Sequence, residues 1–130
     1  MKILSTKNVL TLIGAIALLQ GIGFFLGAEA ITKSVLVKLN QGDAVRVGTL
    51  MHEAFAGAMM TIGIIILFAR NVDASSAKKV LNGIGVGYAV FFAVAMKHFL
   101  GGEVTPPIPA LVLLVVMASL AFFTANKKTV

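Results

Sequence analysis

The chain has 130 residues, of which 58% are hydrophobic and 12% charged, and its mean hydropathy is +0.99. Because soluble domains carry about a quarter charged residues, this composition excludes an ordinary water-soluble globule. The formal net charge is +6 and there is no cysteine, which excludes disulfides, thiolate metal sites and cysteine nucleophiles.

Four apolar segments follow one another along the chain. A membrane-spanning helix needs about 20 predominantly apolar residues, because lipid offers the backbone no hydrogen-bonding partner. The pattern predicts spans over residues 9–30, 46–69, 79–100 and 107–125. We therefore expect an all-α integral membrane protein, a four-helix up-down transmembrane bundle that forms one domain over residues 1–130.

The end of the first span allows two interpretations. Ala28-Glu29-Ala30 resembles a secretory cleavage site, but the apolar run before it is longer than a typical signal core, so we expect the segment to be retained. Residues 31–43 then place apolar residues at helical spacing beside lysines. That pattern fits a short helix on the membrane surface or a loop equally well.

The basic residues predict the orientation. Seven of the eleven fall at the two termini and in the link between the second and third spans, together with one acid, Asp73. These seven are Lys2, Lys7, Arg70, Lys78, Lys79, Lys127 and Lys128. The positive-inside rule then places both termini in the cytoplasm of a multi-pass protein in the cell (inner or plasma) membrane. The positive charge is a topology signal, and we expect no nucleic-acid partner.

Ionisable residues gather at the predicted outer ends of the spans. The residue pair His52-Glu53 opens the second span, and ionisable groups at membrane depth are functional-site hypotheses by default. The set of candidates for a ligand or proton site is His52, Glu53, His98, Arg46, Lys97, Glu29 and Glu103. An ion pair of Glu53 with Arg46 or Lys97 would make that carboxylate tolerable in the membrane.

Three hypotheses for this polar group stay open. His52 and His98 could ligate haem, or bind a divalent metal together with a glutamate, although the helical ligand spacings typical of such sites are missing. Alternatively, Glu53 or His98 titrates in a proton- or substrate-coupled pocket. In the third hypothesis these groups lie at headgroup level and fix the depth of the helices.

Glycines indicate where helices approach one another. Gly23 and Gly27 in the first span, and Gly83 and Gly87 in the third, have the small-xxx-small spacing that brings transmembrane helices close together. Gly57 belongs to a similar stripe in the second span. Since so short a chain has little interior of its own, we expect it to pack on itself or on a larger membrane complex.

These observations favour a small non-catalytic membrane protein, an accessory or scaffold subunit. The main alternative is a carrier or binder of a small apolar or ionic ligand. An enzyme ranks third, since no catalytic signature is present and His52-Glu53 lacks the second histidine of the zinc-protease motif. Size and span count resemble small multidrug transporters, but Gln20 stands where those carry a mid-membrane glutamate, which argues against drug–proton exchange.

Overall fold

The structure is a computed structural model that describes residues 5–35, 42–101 and 108–127. These residues form helices and no strands, as the composition predicts. The helices are α1 (Thr6–Leu26), α2 (Ala28–Val35), α3 (Gly42–Ala69), α4 (Ala74–Leu100) and α5 (Ile108–Asn126). All but α2 are long and apolar enough to cross a membrane, which confirms the expectation of four candidate spans.

A break at Gly27 divides the region predicted as one first span. The backbone N–H of Gly27 donates to Gly23 O at 2.9 Å and ends α1. The chain then continues as the eight-residue α2, which exposes Glu29 and Lys33 and buries Thr32. Part of the predicted surface segment, residues 36–41, lies outside the described residues.

The link between α3 and α4 is a tight turn closed by Asp73. One carboxylate oxygen of Asp73 accepts from the backbone N–H groups of Ser75 and Ser76, each at 3.0 Å. Hydrogen bonding from Ser76, and more weakly from Ser75, lowers the pKa of Asp73. Because this cap starts the helix, α4 begins at Ala74, five residues before the predicted span.

Glycines hold α1 and α3 together. A Cβ at Gly63 would lie 2.6 Å from Leu18 N and 2.9 Å from Gly14 O, and one at Gly21 would lie 2.9 Å from Ala56 O. As residue numbers rise along α1 they fall along α3, so the helices are antiparallel. At these glycines the two helices come into backbone contact, as in close-packed membrane helices generally.

The second helix pair is α4 with α5. A Cβ at Gly85 would lie 2.9 Å from the ring of Phe122, so that ring fills the space beside the glycine. Nearer the α3–α4 turn, Asn126 Nδ2 donates to Asn82 Oδ1 at 3.4 Å and Lys78 Nζ to Lys127 O at 3.2 Å. These contacts also run antiparallel.

The two pairs share a buried core at one end of the molecule. Their shared core lies near the α3–α4 turn and consists of Val9, Leu10, Ile13, Ile66, Ala77, Leu81, Met117, Ala121 and Ala125. Beyond Gly85, the described part of α4 has no buried residue. The backbones of α3 and α4 stay apart along most of their length. The pairs are therefore joined at this closed end and separated by a cleft towards the other.

Candidate functional site

The cleft begins as an apolar cavity of about 520 Å³ between α3 and α4. One residue of α1 and eleven of α3 and α4 line it, and the phenol of Tyr88 supplies the one polar side-chain group among them. The lining residues are Ala17, Phe55, Met59, Ile62, Ile65, Ile66, Val80, Gly83, Ile84, Gly87, Tyr88 and Phe91. We call this space the inner cavity.

A second cavity of about 460 Å³ continues the cleft beside α2. All five helices contribute to its wall, which contains no aspartate, glutamate, lysine or arginine. The lining residues are Phe24, Ile31, Ser34, Val35, Met51, His52, Phe55, Phe91, Ala95, Ala110, Leu111 and Leu114. We call it the outer cavity. It shares Phe55 and Phe91 with the inner cavity, so these two rings stand at the boundary.

Three phenylalanine rings cross the cleft at that boundary. The rings of Phe55 and Phe91 are stacked, with centroids 5.5 Å apart and planes inclined by 20°. The ring of Phe24 meets Phe55 edge-on at 5.6 Å. Offset stacking and edge-to-face contacts are the favoured geometries of aromatic pairs. The cluster links α1 and α3 to α4 where the backbones of α3 and α4 are apart.

His52 is fixed in the wall of the outer cavity by one ring nitrogen. Its Nδ1 lies 2.9 Å from Thr32 Oγ1 and 2.9 Å from Gly48 O. Thr32 is fully buried and its hydroxyl donates to Ala28 O at 2.8 Å. The short helix α2 therefore holds the imidazole through a threonine that sequence reasoning had not singled out.

Glu53 occupies a different place from its neighbour. It is half-buried, lines neither cavity and forms no ion pair with Arg46 or Lys97 among the described residues. Neighbouring residues of a helix point about 100° apart, which separates the two side chains. The ion pair that the described residues do form is exposed and involves other side chains, with Lys33 Nζ 2.6 Å from Glu29 Oε1. Hydrogen bonding and charge from Lys33 lower the pKa of Glu29.

The hypothesis of a metal or haem site that uses His52 and His98 stays a prediction. No group of three or more His, Asp or Glu side chains comes together within ranges 5–35, 42–101 and 108–127. His98 is not among the residues that line either cavity. Glu103 lies outside the described residues, so the expectation for that glutamate stays a prediction.

Four of the five predicted packing glycines have open space beside them. A Cβ at Gly23, Gly57, Gly83 or Gly87 would meet no described atom within 4 Å. Inside the chain, close packing instead uses the glycines at positions 14, 21, 63 and 85. Gly83 and Gly87 line the inner cavity, and contact of these open glycines with a partner stays a prediction.

Sequence reasoning missed the aromatic cluster and the threonine that holds His52. Phenylalanines are common in apolar spans, so nothing marked Phe24, Phe55 and Phe91 as neighbours. Thr32 lay in a segment for which helix and loop were equally supported. Its place on one face of a helix with Ala28 was readable only once α2 was known.

No protein-family model matches the chain, and no curated protein or solved structure matches it either.

Proposed function

We propose that this protein is a non-catalytic membrane protein that binds an amphipathic, lipid-like ligand in the cleft between its two helix pairs. The observation that carries the proposal is the cleft itself, two adjoining cavities of about 520 and 460 Å³. Ligand sites have volumes of about 300–1,000 Å³, apolar walls and a few polar groups, and each cavity fits that description. Of the functions that the sequence leaves open, a ligand binder suits this geometry best.

The distribution of polar groups supports a ligand with one polar end. The inner cavity is apolar except for one phenol, whereas the outer cavity contains the imidazole of His52 and the hydroxyl of Ser34. An extended apolar tail would lie between α3 and α4, and its polar head beside α2. Lipids offer this combination at high local concentration around any membrane protein.

The proposal includes the topology expected from the sequence. The four long helices form an up-down bundle with both termini on the cytoplasmic side of the cell membrane, and the outer cavity faces the opposite side. Since the native chain has no cysteine, single substitutions Ser34→Cys and Ser75→Cys report each side separately. In intact cells, an impermeant maleimide should label Ser34→Cys and spare Ser75→Cys. The reverse pattern would overturn the orientation.

The fluorescence of Tyr88 can report whether a ligand occupies the cleft. The chain has no tryptophan and a single tyrosine, and Tyr88 lines the inner cavity. Bromine quenches tyrosine fluorescence on contact. The protein is placed in nanodiscs of unbrominated phospholipid and titrated with a fatty alcohol and a fatty acid, each brominated midway along its chain. We expect quenching that saturates with at least one of them and is reversed by its unbrominated form.

A matched pair of glycine variants separates binding from general quenching in the bilayer. Gly87→Leu puts a side chain into the inner cavity, whereas Gly57→Leu adds the same side chain where neither cavity lies. Neither position has a described atom within 4 Å of an added Cβ, so both variants should fold. The saturable component should vanish in Gly87→Leu and persist in Gly57→Leu. Quenching that never saturates in the native protein would overturn the proposed function.

A scaffold role is the second candidate, and the open glycines favour it. Gly83 and Gly87 present a small-xxx-small face with no described neighbour, the kind of face that admits a helix from another chain. In that case the native protein in nanodiscs should have the mass of an oligomer or a larger complex, and Gly87→Leu should reduce it to one chain. A single-chain mass in native membrane extracts would count against the scaffold.

A further inference from the structure

The hydrogen bonds around His52 determine which ring nitrogen carries the proton of the neutral imidazole. Gly48 O and Ala28 O can only accept hydrogen bonds. The Thr32 hydroxyl donates to Ala28 O, so its single proton is already used. Nδ1 is 2.9 Å from both Gly48 O and Thr32 Oγ1. Nδ1 must therefore be the protonated nitrogen, and its N–H is shared between these two oxygens.

The opposite nitrogen of the ring is then an acceptor. In a neutral imidazole with its proton on Nδ1, Nε2 carries a lone pair. No described side chain donates to it, and the ring lines the outer cavity. The chain thus presents a fixed hydrogen-bond acceptor in an apolar wall.

The second polar group of the outer cavity has the same character. Ser34 Oγ donates its proton to Ile31 O at 2.8 Å, which leaves its lone pairs for other groups. Both polar side chains of this cavity are therefore acceptors. No aspartate, glutamate, lysine or arginine lines it, so nothing there would balance the charge of an ammonium head, and the neutral imidazole with its proton on Nδ1 offers no donor to a carboxylate or phosphate.

From this arrangement we infer that the outer cavity recognises a neutral hydroxyl head group, whose proton is received by His52 Nε2. The inference rests on the proposed function and specifies the ligand class as a long-chain alcohol. Thr32 is a positioning residue, since it acts on the ligand only by keeping the proton on Nδ1. Ser34 offers a second acceptor at the same end.

The head-group specificity can be tested on the native protein with two probes. A hexadecanol brominated midway along its chain is compared with its methyl ether, which has the same tail and lacks only the O–H donor. With the hydroxyl at His52, the bromine should lie beside Tyr88. The helix α3 rises roughly 10 Å between His52 and Met59, and Met59 and Tyr88 line the same inner cavity. Tyr88 quenching in nanodiscs reports both probes.

We expect the alcohol to bind about tenfold more tightly than the ether. The ether cannot donate a hydrogen bond to His52 Nε2, and the binding free energy lost with one such bond in an apolar site corresponds to about this ratio. In His52→Phe the ratio should fall to that supported by Ser34 alone, with tail binding retained. Thr32→Val should lower the ratio as well, because Nδ1 then loses one of its two acceptors. The control is Thr61→Val, in which the lost hydroxyl bonds only Gly57 O of its own helix, and the ratio should not change.

The outcomes separate the two levels of the proposal. Saturable quenching with equal affinities for alcohol and ether in the native protein would overturn the head-group inference and leave the apolar binding site in place. A preference for the brominated fatty acid over the alcohol would overturn it as well. The absence of saturable quenching by every probe would overturn the proposed function itself. Since the probe pair requires no substitution, the test does not depend on the folding of any variant.

Discussion

The rings of Phe55 and Phe91 stack at a centroid distance of 5.5 Å across a gap that the backbones of α3 and α4 leave open. This contact joins the two helix pairs midway along the cleft. It also forms part of the walls of both cavities. The pair is therefore both a structural link and a boundary inside the proposed binding site.

The stack should contribute a measurable coupling energy. Aromatic pairs contribute about 0.5–1.5 kcal/mol beyond the burial of their surface. A double-mutant cycle of Phe55→Leu and Phe91→Leu, followed by reversible unfolding in mixed micelles, should return a coupling in this range. The same cycle with Phe68→Leu in place of Phe91→Leu is the control, since Phe68 is 79% exposed and stacks on no ring in the part of the chain that the structure describes. Equal couplings in both cycles would contradict the prediction.

Two glycines of α3 should respond in opposite ways to the same substitution. Gly63→Ala places a methyl group 2.6 Å from the Leu18 backbone, and overpacking of this kind costs about 1–3 kcal/mol. Gly57→Ala meets open space, and alanine is better than glycine in a helix by roughly 0.5–1 kcal/mol. Thermal unfolding in micelles should therefore show a lower midpoint for the first variant and an equal or higher one for the second. A neutral Gly63→Ala would contradict the close approach of α1 and α3.

Gln20 should be replaceable with a gain in stability. Its Oε1 is buried without a hydrogen-bond partner among the described residues, and an unsatisfied buried acceptor costs about 1–3 kcal/mol. Gln20→Met keeps the length of the side chain and removes this acceptor, so its unfolding free energy should rise. Asn82→Leu, which deletes the bond from Asn126, should lower it instead. A loss of stability in Gln20→Met would indicate that the amide has a partner.

Asp73 should make the stability of α4 depend on pH. Hydrogen bonds lower the pKa of this carboxyl in the folded state, so its contribution is fully present above the unfolded pKa of about 3.9. It is lost as the pH falls through the lower folded pKa. Asp73→Ala should therefore have a lower melting midpoint at neutral pH, and the difference from the native protein should shrink in acid. Asp73→Asn retains a capping side chain without the titration, so its midpoint should lack this pH dependence.

Hydropathy predicted most of the fold, because a membrane span is specified by length and polarity alone. All four long helices lie where apolar runs were found. The boundaries differ where local hydrogen bonds decide them, at Gly27 and at the Asp73 cap. Helix pairing could not be predicted, since spacing alone does not show which of several glycines faces a neighbour.

One residue of the candidate site could be predicted from the sequence, but its surroundings could not. His52 was recognised from its chemistry, as an ionisable group in an apolar segment. Its partner Thr32 is distant in sequence, and the rotation of α3 that turns His52 to the cleft and Glu53 away from it depends on packing. The pairing of acidic and basic residues could not be predicted, as the exposed contact of Glu29 with Lys33 illustrates.

The division into α1 with α3 and α4 with α5 has a consequence for biosynthesis. Each pair makes its closest contacts within a continuous stretch of chain, and the turn around Asp73 is their covalent link. The first pair is therefore complete before α4 leaves the ribosome, and we expect it to assemble on its own. A gene divided at this turn should yield two polypeptides that insert independently and associate through the shared core.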